Sequence, residues 1–145
     1  MVYRNRMNRR PAACFSVLFL LGLFGCARGG DTGADCDPHA GSCTAVAGPY
    51  EVTLDITPKP VVHMQELTFD VSFGVETPES EALVLDLSMP GMDMGRNRVR
   101  LEKGDDGHYR GKGIIVRCAS GRTLWRATVF LGDTLKPDFT FNVRD

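Results

Sequence analysis

The sequence has no long segment with the apolar spacing of an amphipathic helix and no long apolar run. It also has none of the short motifs that mark common enzyme sites. Its longest apolar run, ACFSVLFLLGLFG at residues 13–25, is shorter than the roughly 20 residues that a membrane-spanning helix needs. The patterns GxSxG, HExxH, CxxC and the phosphate-binding loop are absent. No pair of carboxylates sits in an apolar setting that would separate their pKa values. The sequence therefore predicts a protein that is not an enzyme.

The first 25 residues have the pattern of a secretory signal. MVYRNRMNRR contains four arginines and no acidic residue, and the apolar run follows it. The run ends in LFGC, which resembles the lipobox of bacterial lipoproteins. Such chains are cut before the cysteine, here Cys26, which then carries acyl chains that give stable membrane anchoring. The alternative is an ordinary cleaved signal and a freely secreted protein.

Composition after the signal predicts a short tether and one small domain. Residues 26–48 include the polar, glycine-rich ARGGDTGADCDPHAG and are expected to be a flexible, lipid-anchored tether. Residues 49–145 suit a single domain. Without residues 1–25 the chain has 13 basic and 18 acidic residues, a net charge of about −5. That sign disfavours nucleic acid and anionic lipid as partners. We expect a monomer in the bacterial envelope that faces the periplasm and is held to the membrane by the lipid on Cys26.

Three cysteines remain for the domain. Cys36, Cys43 and Cys118 allow one disulfide from three possible pairs. Cys36 and Cys43 enclose the turn-rich DPHAGS, whereas a bond from Cys43 to Cys118 would join the start of the domain to its middle. The remaining thiol is predicted to be free, buried or a metal ligand, and the sequence does not choose among these.

The hydrophobic pattern from residue 50 onward has a period of two, which predicts strands. YEVTLDI and LTFDVSFGV alternate apolar and polar residues, as half-buried strands do. The candidate strands cover residues 50–56, 67–75, 81–89, 97–103, 107–116, 122–131 and 138–143. Turn-forming segments rich in Gly, Pro and Asp separate them. We therefore expect an all-β domain, a single immunoglobulin-like antiparallel β-sandwich of about seven strands.

Two aromatic residues fit this fold. DDGHY places Asp105, Gly107 and Tyr109 in an arrangement like the tyrosine corner of immunoglobulin-type sandwiches, where the phenol bonds to backbone across its loop. Alternatively, Tyr109 is an ordinary hairpin aromatic. Trp125 shares a strand face with Ala127 and Val129, and we expect it in the core.

The methionines outside the signal are concentrated in one loop. SMPGMDMGRNR, residues 88–98, holds Met89, Met92 and Met94, and the remaining methionine, Met64, directly follows His63. Thioethers are soft, uncharged ligands that prefer Cu(I). We expect Met89, Met92 and Met94, with help from Met64 or His63, to bind copper as Cu(I).

Three other interpretations of these methionines remain open. Met89 continues the alternating strand before it and fits a core position. Met92 and Met94 could cap the open end of the sandwich, or form a patch that docks a protein.

Several of these motifs together resemble the YtkA-like and FixH-like extracytoplasmic domains. The resemblance covers roughly residues 49–131. It is carried by MPGMDMG after a strand, the basic RNRVRL, then GHYRGKG, and a step from Gly121 to Trp125. It implies a small β-sandwich in a bacterial envelope, linked to copper handling and cytochrome oxidase assembly, with a copper-accepting envelope protein as a possible partner. Many members have a histidine soon after the methionine-proline motif, where this chain has Gly95, Arg96 and Asn97.

A row of arginines follows the methionine-rich loop. Arg96, Arg98 and Arg100 alternate along one face of a predicted strand. Such a row is usually a solvated face. The functional alternative is a docking surface for an acidic partner or a small anion. A structural or adaptor lipoprotein that docks a partner in this way, without a metal, is our second functional expectation.

Overall fold

The computed structural model describes residues 33–145, which form eight strands and no helix. The strands are β1 (Cys43–Ala47), β2 (Tyr50–Thr57), β3 (Glu66–Phe73), β4 (Ala82–Ser88), β5 (Arg98–Lys103), β6 (Tyr109–Ile114), β7 (Leu124–Phe130) and β8 (Asp138–Asn142). The predicted signal, Cys26 and the beginning of the predicted tether lie outside the described residues. Within residues 33–145 there is no helix long and apolar enough to cross a membrane.

All eight strands belong to one antiparallel sheet. Their order is β1-β2-β3-β6-β5-β4-β7-β8. The sheet is nearly barrel-shaped, because it curls until its first and last strands approach each other. The backbone N–H groups of Asp35 and Cys36 donate to the Thr140 carbonyl at 2.9 and 3.2 Å, across this gap. The prediction of an all-β domain is confirmed.

The sheet has eight strands, one more than the expected number of about seven. The seven predicted strands are present, and β1 is an additional strand inside the segment expected to be a tether. A two-residue turn at Gly48 and Pro49 joins β1 to β2, and Gly48 has the positive φ of 59° that such hairpin turns use. Sequence periodicity did not indicate β1, because Cys43 is the only buried residue of this edge strand.

The core is filled by the inward-facing residues of every strand. Trp125 is fully buried with Ala127 and Val129, as predicted. Gly111 and Gly113 occupy inward positions on β6, where a side chain would collide with β5: a Cβ at Gly111 would meet the Arg100 carbonyl oxygen. These glycines let β5 approach β6 closely, at the point where the sheet curls.

The Tyr109 phenol contacts a different loop from the one expected. It lies within hydrogen-bond distance of the Ser80 and Pro78 carbonyls, at 2.7 and 3.0 Å. These carbonyls belong to the β3–β4 connection, about 30 residues upstream, whereas the predicted corner would bond across its own loop. Tyr109 therefore ties the β3–β4 connection to β6, because the order of the strands places that connection over the phenol.

Four segments meet at one end of the sheet. They are the β4–β5 connection, the β6–β7 connection, the β2–β3 connection and the residues after β8. The registers Glu66 with Ile114, Ser88 with Arg126 and Leu124 with Asn142 place these segments side by side. All the predicted metal ligands lie in or beside them.

Candidate metal site

The methionine-rich loop, residues 89–94, begins with a tight turn. The Met92 N–H donates to the Met89 carbonyl at 3.1 Å, which closes a four-residue β-turn. Pro90 occupies the second position and Gly91, with a φ of 75°, the third, as a type II turn requires. This turn brings Met89 and Met92 into an antiparallel bridge. The sequence MPGM therefore fixes the spacing of two predicted ligands locally.

The predicted methionine ligands lie in different surroundings. Met89 is 3% exposed and belongs to the core, which agrees with its alternative interpretation as the last inward residue of its strand. Met92 and Met94 are half-buried and pack against the core. Met64 is 65% exposed and has a positive φ of 60°. Met64 faces solvent, whereas Met89 faces the interior. These two predicted ligands therefore lie in different surroundings.

Met92 has a sulfur neighbour outside its own loop. The Cys118 thiol lies 3.4 Å from the Met92 thioether sulfur and is oriented to donate to it. Cys118 is buried at the start of a turn that the Gly121 N–H closes onto the Cys118 carbonyl at 3.0 Å. Two soft donors from separate connections therefore meet at one point.

Within residues 33–145, Cys118 is the free thiol, because Cys36 and Cys43 are bonded to each other. Cys36 and Cys43 form a disulfide with their Cα atoms 5.7 Å apart. This local pair was one of the three that the sequence left open. The bond closes the loop before β1 and leaves Cys118 available as a ligand.

The surroundings of Cys118 favour its thiolate. Hydrogen bonds from the Ser120 side chain and backbone lower the pKa of the Cys118 thiol. A backbone hydrogen bond from Arg122 and the charge of its guanidinium lower this pKa further, against the opposing effect of burial. The Ser120 Oγ lies 3.0 Å from the sulfur. Because the thiolate is the form that binds metals, this environment prepares Cys118 for coordination.

A cavity of about 330 Å³ opens beside Cys118. It is lined by His63, Arg117, Cys118, Ala119, Gly121, Arg122 and Asp145. The side chain of His63 is only 1% exposed, and its Nδ1 lies 3.3 Å from Asp145 Oδ1. Its Nε2 is buried and has no hydrogen-bond partner among the described residues.

The other two histidines make their side-chain hydrogen bonds away from this cavity. His39 Nδ1 accepts from the Val61 N–H at 3.1 Å, and its Nε2 lies 3.0 Å from the Asn142 carbonyl. His108 Nδ1 lies 2.7 Å from Asp70 Oδ1. Across residues 33–145, no three or more His, Cys, Asp and Glu side chains cluster in a way that could hold a metal.

Acidic neighbours partly neutralise the charges of the predicted docking arginines. Arg98 pairs with Asp86 at 3.2 Å and lies over the Phe130 ring, 5.6 Å from its centroid. Arg100 lies 3.5 Å from Glu102, with both side chains more than 70% exposed, so this pair contributes little to stability. Arg96 is exposed and forms no ion pair with residues of the described part.

The structure adds residues that the sequence did not single out for the site. In the sequence, Cys118 is a disulfide candidate or a possible ligand, and no motif indicates a role for Ser120, Arg122 or Asp145. The odd number of cysteines was the available signal, because it required one thiol to stay unpaired. Nothing local in the sequence indicated that this thiol would face Met92.

The chain matches no protein-family model, no curated protein and no solved structure.

Proposed function

We propose that this protein is a bacterial envelope lipoprotein that binds Cu(I) and passes it on, with Met92 and Cys118 as its central ligands. The observation that carries this proposal is the 3.4 Å separation between the Met92 and Cys118 sulfurs. Met89 forms an antiparallel bridge with Met92 and so helps to position it.

The chemistry of the two donors favours a soft ion. Thioether and thiolate ligands select Cu(I) over the hard cations that prefer oxygen. With metal–sulfur bonds of about 2.3 Å, a tetrahedral angle separates two sulfurs by roughly 3.8 Å. The sulfurs at 3.4 Å need to move apart by only a few tenths of an ångström to share one ion. The half-buried Met92 side chain leaves the pair close to the surface, which suits an ion that is handed on.

The wider role follows from the motif resemblance. The YtkA-like and FixH-like pattern in MPGMDMG, RNRVRL and GHYRGKG supports a place in cytochrome oxidase assembly or copper homeostasis. The lipobox supports anchoring through Cys26, and a copper-accepting envelope protein is the corresponding partner.

The same resemblance supports an immunoglobulin-like sandwich as the fold type. The ladder between β5 and β6 covers only the pairs Glu102 with Arg110 and Lys103 with Tyr109. This short ladder joins two four-stranded halves of the sheet, which are then the two layers of the sandwich.

A Cu(I) competition titration tests the proposed function. The purified chain should withdraw Cu(I) from a chromogenic chelator, and a Met92→Ala, Cys118→Ser double variant should lose that ability. Met94→Ala is the matched control from the same loop and should cost much less affinity. If the wild-type chain competes no better than the double variant, the proposal is wrong.

A second candidate function is a structural or adaptor lipoprotein without a metal. The exposed side chains of Arg96 and Arg100, with the half-exposed Arg98 beside them on β5, favour it. An acidic partner captured by the wild-type protein should then still bind a variant that lacks Met92 and Met94. It should be lost when Arg98 and Arg100 are reversed to Glu.

A further inference from the structure

We infer that His63 Nε2 is the third ligand of the metal site, and that Asp145 is the positioning residue that orients it. The inference rests on the proposed function, and it deepens it by naming the complete donor set: one imidazole, one thiolate and one thioether.

The first argument is the unpartnered nitrogen. His63 Nε2 is buried without a hydrogen-bond partner among residues 33–145, whereas both ring nitrogens of the part-buried His39 are engaged. A buried polar atom without a partner costs free energy, and such atoms in native structures often face an ion or water. His63 lines the same cavity as Cys118. The residue with the unpartnered nitrogen and the residue with the free thiol therefore line one cavity.

The second argument is the carboxylate on the other side of the ring. Asp145 Oδ1 lies 3.3 Å from His63 Nδ1. Because a carboxylate oxygen can only accept, the neutral ring that makes this hydrogen bond donates its Nδ1–H and has its lone pair on Nε2. Histidines that bind metals usually donate their other ring N–H to a carboxylate or carbonyl in this way. Arg117 pairs with the same carboxylate at 3.3 Å.

The third argument is the rigid backbone around His63. Its N–H donates to the Arg144 carbonyl at 3.0 Å, and the Met64 N–H donates to the Ile115 carbonyl at 2.8 Å. Val62 forms a parallel bridge with Arg144. These bonds hold the segment between the end of the chain and the connection that carries Cys118. The imidazole is thus placed before any metal binds.

The charge of the site selects a monovalent ion. A thiolate with two neutral donors gives a neutral complex with Cu(I), and a complex of charge +1 with Zn²⁺ or Cu²⁺. Besides the ligands, two arginines, Arg117 and Arg122, and one carboxylate, Asp145, line the cavity, and this net positive lining would repel that extra charge. The donor set points to Cu(I), with Ag(I) as its redox-inert analogue.

X-ray absorption spectroscopy of the purified full chain loaded with Cu(I) tests this assignment. We expect a first shell of two sulfurs and one imidazole nitrogen. His63→Ala should leave two sulfurs and lower the Cu(I) affinity. Asp145→Asn should lower the Cu(I) affinity by about tenfold or more, because a neutral amide holds the His63 Nδ1–H less strongly than a carboxylate does. His108→Ala is the matched control, because His108 is bonded to Asp70 away from the cavity, and it should leave both the spectrum and the affinity unchanged.

The possible results separate this inference from the proposed function. A shell of two sulfurs without nitrogen, together with unchanged affinity in His63→Ala, overturns the inference and leaves the sulfur pair intact. Failure of the wild-type chain to bind Cu(I) through Met92 and Cys118 overturns both. The wild-type spectrum shows whether an imidazole nitrogen binds Cu(I), even if His63→Ala does not fold. His63→Gln supplies a second variant whose side chain is closer in size to histidine.

Discussion

The thioether sulfur of Met92 lies 3.4 Å from the thiol sulfur of Cys118, and 26 positions separate the two residues in the chain. The type II turn at Pro90 and Gly91 presents Met92, and the turn that starts at Cys118 presents the thiol. Neither turn alone makes a site. Their meeting depends on the registers that align β4 with β7 and β3 with β6.

The Cys118 thiol should ionise below the pH at which an ordinary cysteine does. Since its pKa is lowered, the thiolate fraction and hence the alkylation rate should rise at lower pH in the folded protein than in the urea-unfolded chain. Ser120→Ala removes the largest stabilising hydrogen bond, so the midpoint should move to higher pH. The rate of iodoacetamide labelling against pH measures both midpoints. Ser42→Ala, which lies away from Cys118, should not move the midpoint, and equal midpoints in Ser120→Ala and the wild type would contradict the proposed hydrogen bond.

Gly91→Ala should destabilise the methionine-rich loop. A Cβ at Gly91 meets nothing closer than 4.0 Å, so the cost is the positive φ of 75°, about 1–2 kcal/mol. Urea unfolding measures this loss. Gly41→Ala has open space and no positive φ, so its stability should be unchanged or slightly higher. A similar loss in both variants would mean that the turn conformation is not the cause.

Tyr109→Phe should cost about 1–3 kcal/mol of unfolding free energy, because the Pro78 and Ser80 carbonyls lose their phenol donor. Thermal or urea unfolding checks the value. Tyr50→Phe is the control, since Tyr50 also packs against Phe73 but its hydroxyl makes no hydrogen bond within residues 33–145. If both variants are equally stable, the phenol does not tie the β3–β4 connection to β6.

Gly111→Ala should be the most damaging of these substitutions, at about 3 kcal/mol or more. The new Cβ would collide with the Arg100 carbonyl oxygen and lie 2.9 Å from Leu101 Cδ2 and Val99 Cγ1. Denaturant unfolding measures the loss. At Gly74 the new Cβ stays 3.3 Å or more from its neighbours, so Gly74→Ala should be tolerated far better. Comparable stability of the two variants would show that β5 can move away from β6 without cost.

The sequence by itself determined seven of the eight strands, the inward side of those that alternate apolar and polar residues, and the local turn of the methionine-rich loop. Period-two alternation is a local property, because successive side chains on a strand point to opposite faces. It predicted the core positions of Trp125 and, in one interpretation, of Met89. The pairing of proline and glycine within MPGM likewise encodes its turn without help from the rest of the chain.

Only the tertiary structure decided which distant residues meet. The β1 edge strand, the contact of Tyr109 with the β3–β4 connection, the pair of Met92 and Cys118, and the orientation of His63 by Asp145 all join segments far apart in sequence. Strand order and register set these contacts, and hydrophobic alternation does not specify which strand pairs with which. The sequence therefore shows only that one cysteine of the domain stays unpaired. The folded chain shows that this cysteine is Cys118 and that it lies beside Met92.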